Sequence, residues 1–147
     1  MPNLQGMRFE VQIEIDRPPE DVFGALTNID RLPEWQGSAV SAAAEGPLGE
    51  GTRIRETRRL MGREFHVVQE VTAYDPPYRF DVQSVEGPIP LSISHTLEPS
   101  GGGTLLEVVG EGKPRGMLRF AGAGIAKTAE AEFRRDFEKL KELLEAG

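Results

Sequence analysis

Four polar side chains stand where the residue pattern makes room for apolar ones: Glu56, Arg58, Gln69 and His95. The segments around them alternate apolar and polar residues with the two-residue period of a strand, and each of the four shares the parity of the apolar set. A polar group taken out of water without a partner costs roughly one to several kcal/mol. Three arrangements would remove that cost. The four pair among themselves, they sit at a wet mouth, or they line a cavity and meet a ligand.

Each arrangement implies a chemistry. Glu56 and Arg58 are two apart on one strand, so they are same-face neighbours that can close a salt bridge at the end of the sheet. His95 is centred in Leu91-Ser92-Ile93-Ser94-His95-Thr96-Leu97. It would serve as general acid or base with Glu56 as partner if both reached one substrate, and otherwise reads as a hydrogen-bonded structural histidine. As ligand-binding groups, the four would orient the polar part of a molecule whose body rests on Phe80, Ile93, Leu106, Phe120 and Ile125. Small-molecule sites are apolar pockets with a few convergent polar groups. His66 falls on the opposite face, as do Arg53, Arg55 and Arg59, whose strands also carry Glu64 and Glu70. That is the composition of a solvated sheet face.

Other chemistries find no support. The chain has no Cys, which removes disulfides and thiolate catalysis. It has no Gly-x-Ser-x-Gly elbow, phosphate-cradling glycine loop or dinucleotide fingerprint. Two His on separate strands, with no third ligand in view, argue against a zinc site, and no cofactor is expected. Seventeen basic and 24 acidic residues leave a net charge of −7, which speaks against nucleic acid or an anionic membrane as main partner. With no signal-like apolar stretch at the start and no apolar run of about 18 residues, stable membrane insertion is not expected and a cytoplasmic location is the default.

The elements that must position these residues follow from periodicity. Phe9, Val11, Ile13 and Ile15 alternate with charged and polar neighbours as a half-buried strand. Asp16-Arg17-Pro18-Pro19 opens a short helix carrying Val22, Phe23 and Leu26, and Ile29, Leu32 and Trp35 suggest a second, broken near Pro33. Strands are expected near 38–45, 51–60, 63–74, 78–86, 91–98 and 103–111, separated by Gly- and Pro-rich turns. Pairing Leu60 with Arg63 puts Glu56 opposite Val67 and Ile54 opposite Gln69. Pairing Glu98 with Gly103 puts Ile93 opposite Val108 and His95 opposite Leu106. Both registers keep apolar residues on a common face. A last helix from Gly116 to Ala146 bears Phe133, Phe137, Leu140 and Leu144 as a stripe, whereas its front, Phe120 to Ala126, is almost all Gly and Ala. A helix thin at one end leaves space beneath it. The 147 residues form one domain, with Met1 to Gly6 a loose end.

The order of these pieces resembles the polyketide cyclase/dehydrase-like proteins of the START-related, pollen-allergen-type superfamily. The resemblance rests on the opening strand followed by Pro18-Pro19-Glu20-Asp21-Val22-Phe23, on Leu32-Pro33-Glu34-Trp35, on Gly46-Pro47-Leu48-Gly49-Glu50-Gly51-Thr52, on Val71-Thr72-Ala73-Tyr74-Asp75-Pro76-Pro77 and on the long terminal helix. It implies an α+β helix-grip fold: a seven-stranded curved antiparallel sheet wrapped around the C-terminal helix, with two short helices after the first strand and a hydrophobic cavity between sheet and helix. Members bind lipids, polyketides or other apolar metabolites. Their catalytic residues form no shared motif, so none carries over to a position here.

Three functions are then in play. The first is binding or carrying of a hydrophobic or amphipathic small molecule. The second is a polyketide cyclase or dehydratase reaction using His95 and Glu56. The third is a protein-interaction module of the co-chaperone-like or ribosome-associated kind, using the outward Arg stripe or the acidic tail helix. Self-association into a homodimer stays open.

Overall fold

The alternation from Phe9 to Ile15 becomes β1 (Met7–Ile15), and the remaining strands are β2 (Ala39–Ala44), β3 (Arg53–Leu60), β4 (Arg63–Asp75), β5 (Arg79–Glu86), β6 (Leu91–Ser100) and β7 (Gly103–Gly112). A computed structural model describes residues 7–112 and 122–147. The seven strands make one antiparallel sheet in the order β1-β7-β6-β5-β4-β3-β2. Consecutive hairpins explain every neighbouring pair except β1 with β7, and β1 and β2 end on opposite edges. The segment between them must therefore carry the chain across the sheet.

That segment is helical. Pro18 and Pro19 suit the first turn of α1 (Pro19–Leu26), where Glu20 and Asp21 meet the positive end of the helix dipole. Val22, Phe23 and Leu26 form its buried face, and Thr27 closes it by donating from Oγ1 to the Phe23 carbonyl at 2.7 Å. A 3-10 turn, Ile29–Glu34, follows, with Pro33 inside it and Ile29 and Leu32 buried.

The sheet bends because β2 carries an extra residue between Ala39 and Ser41, β5 one between Ser84 and Glu86, and β4 one between Val71 and Ala73. An extra residue in one strand kinks it and sharpens its twist. The extra residue in β4 also swaps parity, so that Tyr74 packs inward on Phe23 and Phe80 at ring separations of 5.7 and 6.4 Å. A strict alternation carried along β4 would have sent Tyr74 outward.

Against the inner face lies α2 (Gly122–Ala146). Phe137 and Leu140 join the core with Val11, Ile15, Val71 and Val108. Phe133 meets Phe9 edge-on at 4.8 Å. Phe9 can lie there only because residue 110 is glycine: a β-carbon at Gly110 would fall 2.2 Å from its ring. The C-terminal end of α2 is fastened by polar contacts. Arg17 donates to the carbonyls of Glu145 and Gly147, and Lys141 donates to that of Glu14 at 2.7 Å.

One expectation about pairing needs correction. The β3–β4 register is as expected, with Leu60 facing Arg63 and Glu56 facing Val67. The β6–β7 hairpin instead turns two residues later, pairing Ser100 with Gly103, so His95 faces Val108 and Ile93 faces Gly110. A shift of two preserves the face of every side chain, which is why patterning could not detect it.

Candidate functional site

Between the inner sheet face and α2 is a cavity of about 210 Å³. Glu56, Arg58, Gln69, Phe80, Ile93 and His95 line it from the sheet, and Ile125 lines it from α2. Leu106 does not. It is fully buried in the packed core, beside Leu97 and Ile13. Phe120 lies outside the described residues.

The polar groups fall into two sets. In the first, Arg58 bonds Glu56 through Nε at 2.7 Å and through Nη2 at 2.6 Å, both to Oε1. Its Nη1 donates to Ser38 Oγ at 2.9 Å, and Nη2 also donates to Gln36 Oε1. Gln69 Nε2 donates to the other Glu56 oxygen at 2.7 Å. Only 4% of Glu56 is exposed. Both of its oxygens are therefore committed, and a buried carboxylate so held is stable where a bare one would not be. The same-face salt bridge and the pairing of polar groups among themselves both occur here.

The second set is not satisfied among the described residues. His95, 6% exposed, lies with its ring stacked on Phe80 at 5.7 Å and tilted against Phe137 at 5.9 Å. Its Nδ1 is 2.7 Å from the Phe80 carbonyl oxygen, which only accepts, so Nδ1 carries the proton. The lone pair is then on Nε2, which bonds no described residue. Burial pushes the imidazole pKa down to about 4, against the weaker upward pull of the Phe80 carbonyl and of Asp81. Trp35 lies on the same wall, 5.1 Å from the Phe137 ring, and its buried indole N–H has no partner among the described residues.

His95 and Glu56 do not meet as an acid–base pair. The row through His95 runs across Phe80 to Tyr74 on β4, whereas Glu56 faces Val67, well along the same strand and on its other side. No hydrogen bond joins them among the described residues. They share one cavity wall but belong to different ends of it.

Several lining residues escaped the sequence reading: Trp35, Gln36, Ser38, Glu132 and Asp136. The last two had a signal, since Ala129, Glu132 and Asp136 follow helical spacing beside Phe133 and Phe137. Asp136 accepts the Gly37 N–H at 3.1 Å, and burial raises its carboxyl above the ordinary range although Gly37 and Arg58 pull it down. Gln36 and Ser38 had none, because they lie in the link between the 3-10 turn and β2. On the outer face, Arg53, Arg55 and Arg59 pair with Glu70, Glu45 and Glu64. The Arg stripe is neutralised there. Among the described residues no group of His and carboxylates is arranged to hold a metal, and no helix is long and apolar enough to cross a membrane.

A START superfamily protein from Mycobacterium smegmatis superposes with a TM-score of 0.83 at 13% identity, covering 95% of this chain and 97% of its own. A protein from Thermus thermophilus gives 0.77 at 21% identity, covering 96% and 97%. The di-domain ARO/CYC BexL from the BE-7585A biosynthetic pathway gives 0.79 at 13% identity, covering 96% of this chain and 50% of that one. At such identities the likeness is one of fold, and the fold is the helix grip. No curated protein sequence matches the chain. Residues 7–145 match a sequence family, and on that match the chain belongs to the polyketide cyclase / dehydrase and lipid transport family.

Proposed function

We propose that this protein binds a small, largely apolar molecule between sheet and helix and does not transform it. The observation that carries the reading is the largely apolar cavity of about 210 Å³ with an acceptor, His95 Nε2, that no described residue satisfies beside Phe80 and Phe137. A cavity of about 150 Å³ lined by aliphatic and aromatic side chains takes up benzene, and dedicated ligand pockets run to about 300–1,000 Å³. The space here suits one or two rings, or one part of a longer molecule whose remainder leaves by the mouth. Phe80, Ile93 and Ile125 would hold its body, at about 25 cal/mol for each Å² removed from water less the cost of ordering.

Catalysis is the weaker reading for two reasons. A general base works best with a pKa near the operating pH, and an imidazole at about 4 holds a proton poorly. The carboxylate that would assist it is already bound on both oxygens.

Native mass spectrometry with solvent extraction, together with the neutral dye N-phenyl-1-naphthylamine, tests the proposal. The expected result is an extractable apolar compound, or dye fluorescence that rises and shifts to the blue on mixing. Neither a bound compound nor a dye response would overturn it.

A further inference from the structure

The two sets of polar groups differ in what they have left to offer, and that difference points to the chemistry of the ligand. Glu56 has no free oxygen, and Arg58 has spent Nε and Nη2 on its neighbours. Among the described residues, His95 keeps a whole lone pair. Its ring cannot exchange the roles of its nitrogens without giving up the Phe80 carbonyl, and Phe80 and Phe137 hold it in place. Burial among these rings opposes a second proton, so Nε2 stays an acceptor.

Resting on the binding role proposed above, we infer that the cavity selects a neutral, ring-sized molecule carrying a hydroxyl or N–H, which donates to His95 Nε2, and that it rejects anions. An acceptor lone pair has nothing to give a carboxylate or phosphate. The polar end adds to the rejection: Glu56, Glu132 and Asp136 line the cavity against the single guanidinium of Arg58, among the described residues. A fatty acid would bring a further negative charge to a site that already has an excess.

Three probes on one ring system separate the possibilities: 2-naphthol, which is neutral and donates; 2-methoxynaphthalene, which is neutral and cannot donate; and 2-naphthoate, an anion. Binding is read by equilibrium dialysis at neutral pH. One retained hydrogen bond predicts that naphthol binds about tenfold more tightly than its methyl ether, with naphthoate weakest. His95→Phe should bring naphthol and ether to equal affinity without weakening the ether. Equal binding of naphthol and ether to the parent protein, or tightest binding of naphthoate, overturns the inference while the cavity reading survives. Failure of all three probes and of the dye overturns both. Should His95→Phe not fold, ring nitrogen resonances of the parent protein serve instead. Naphthol must move the His95 Nε2 signal, and a signal that stays put counts as refutation.

Discussion

The two ends of the cavity both carry polar groups and behave in opposite ways. Around Arg58 the hydrogen bonds close on themselves: guanidinium, carboxylate, amide and hydroxyl satisfy one another. Around His95 and Trp35 the described residues leave them open, although both side chains are buried and both lean on Phe137. Polarity in an apolar wall is thus a poor marker of a site by itself. What marks it is bonding capacity left unspent.

The contrast makes predictions of decreasing size. If the Arg58 end is structural, Arg58→Ala strands a buried carboxylate and should cost about 3–5 kcal/mol by chemical denaturation. Arg58→Met combined with Glu56→Gln should recover most of that loss, since no charge is left unpaired. A single variant that unfolds like the parent would erase the distinction between the two ends.

At the other end, stability should depend on pH through His95. Its folded pKa is lowered from 6.5 to about 4, so the unfolded chain takes up the proton first as the solution is acidified. Stability is full above about pH 6.5 and declines toward pH 4, by about 3 kcal/mol for a shift of this size. His95→Phe should flatten that part of the profile. Asp136 works in the opposite sense, because a raised folded pKa favours the protonated folded state, so its contribution to stability falls as pH rises through that value.

Filling the space sharpens the comparison further. Ala129→Phe introduces a ring at the cavity wall on α2 and should abolish dye uptake while costing about 1–3 kcal/mol or less. Uptake that persists would place the dye elsewhere. The smallest effect belongs to the outer face. Arg59 and Glu64 pair at 2.9 Å on the exposed face, and Arg59→Ala should change the thermal midpoint by no more than about 0.5–1 kcal/mol allows.

How much of this was readable in the chain divides along physical lines. Strand positions and faces were, because burial on one side of a sheet imposes a two-residue period that β1, β3 and β6 keep faithfully. Four polar positions on the inner face stood out by the same test, and the structure brings Glu56, Arg58, Gln69 and His95 to one cavity. The β6–β7 register was not readable, since a shift of two leaves the pattern intact. Nor was the parity change in β4, which depends on where an extra residue bulges. Which polar group would be satisfied was hidden as well. Gln36 and Ser38 reach Arg58 only through the path of a link between elements, and strand periodicity does not describe such a path.

The glycine beneath the Phe9 ring carries a consequence for comparing sequences. With 2.2 Å between the ring and a would-be β-carbon at position 110, the first and last strands are sterically one decision made at two distant places in the chain. A homologue that gains even a methyl group at the equivalent of Gly110 must shrink its counterpart of Phe9, and with it surrender the aromatic contact to Phe133. The two columns should therefore change together wherever the family is aligned, and a bulky pair found at both would mean that the helix has been set down somewhere else.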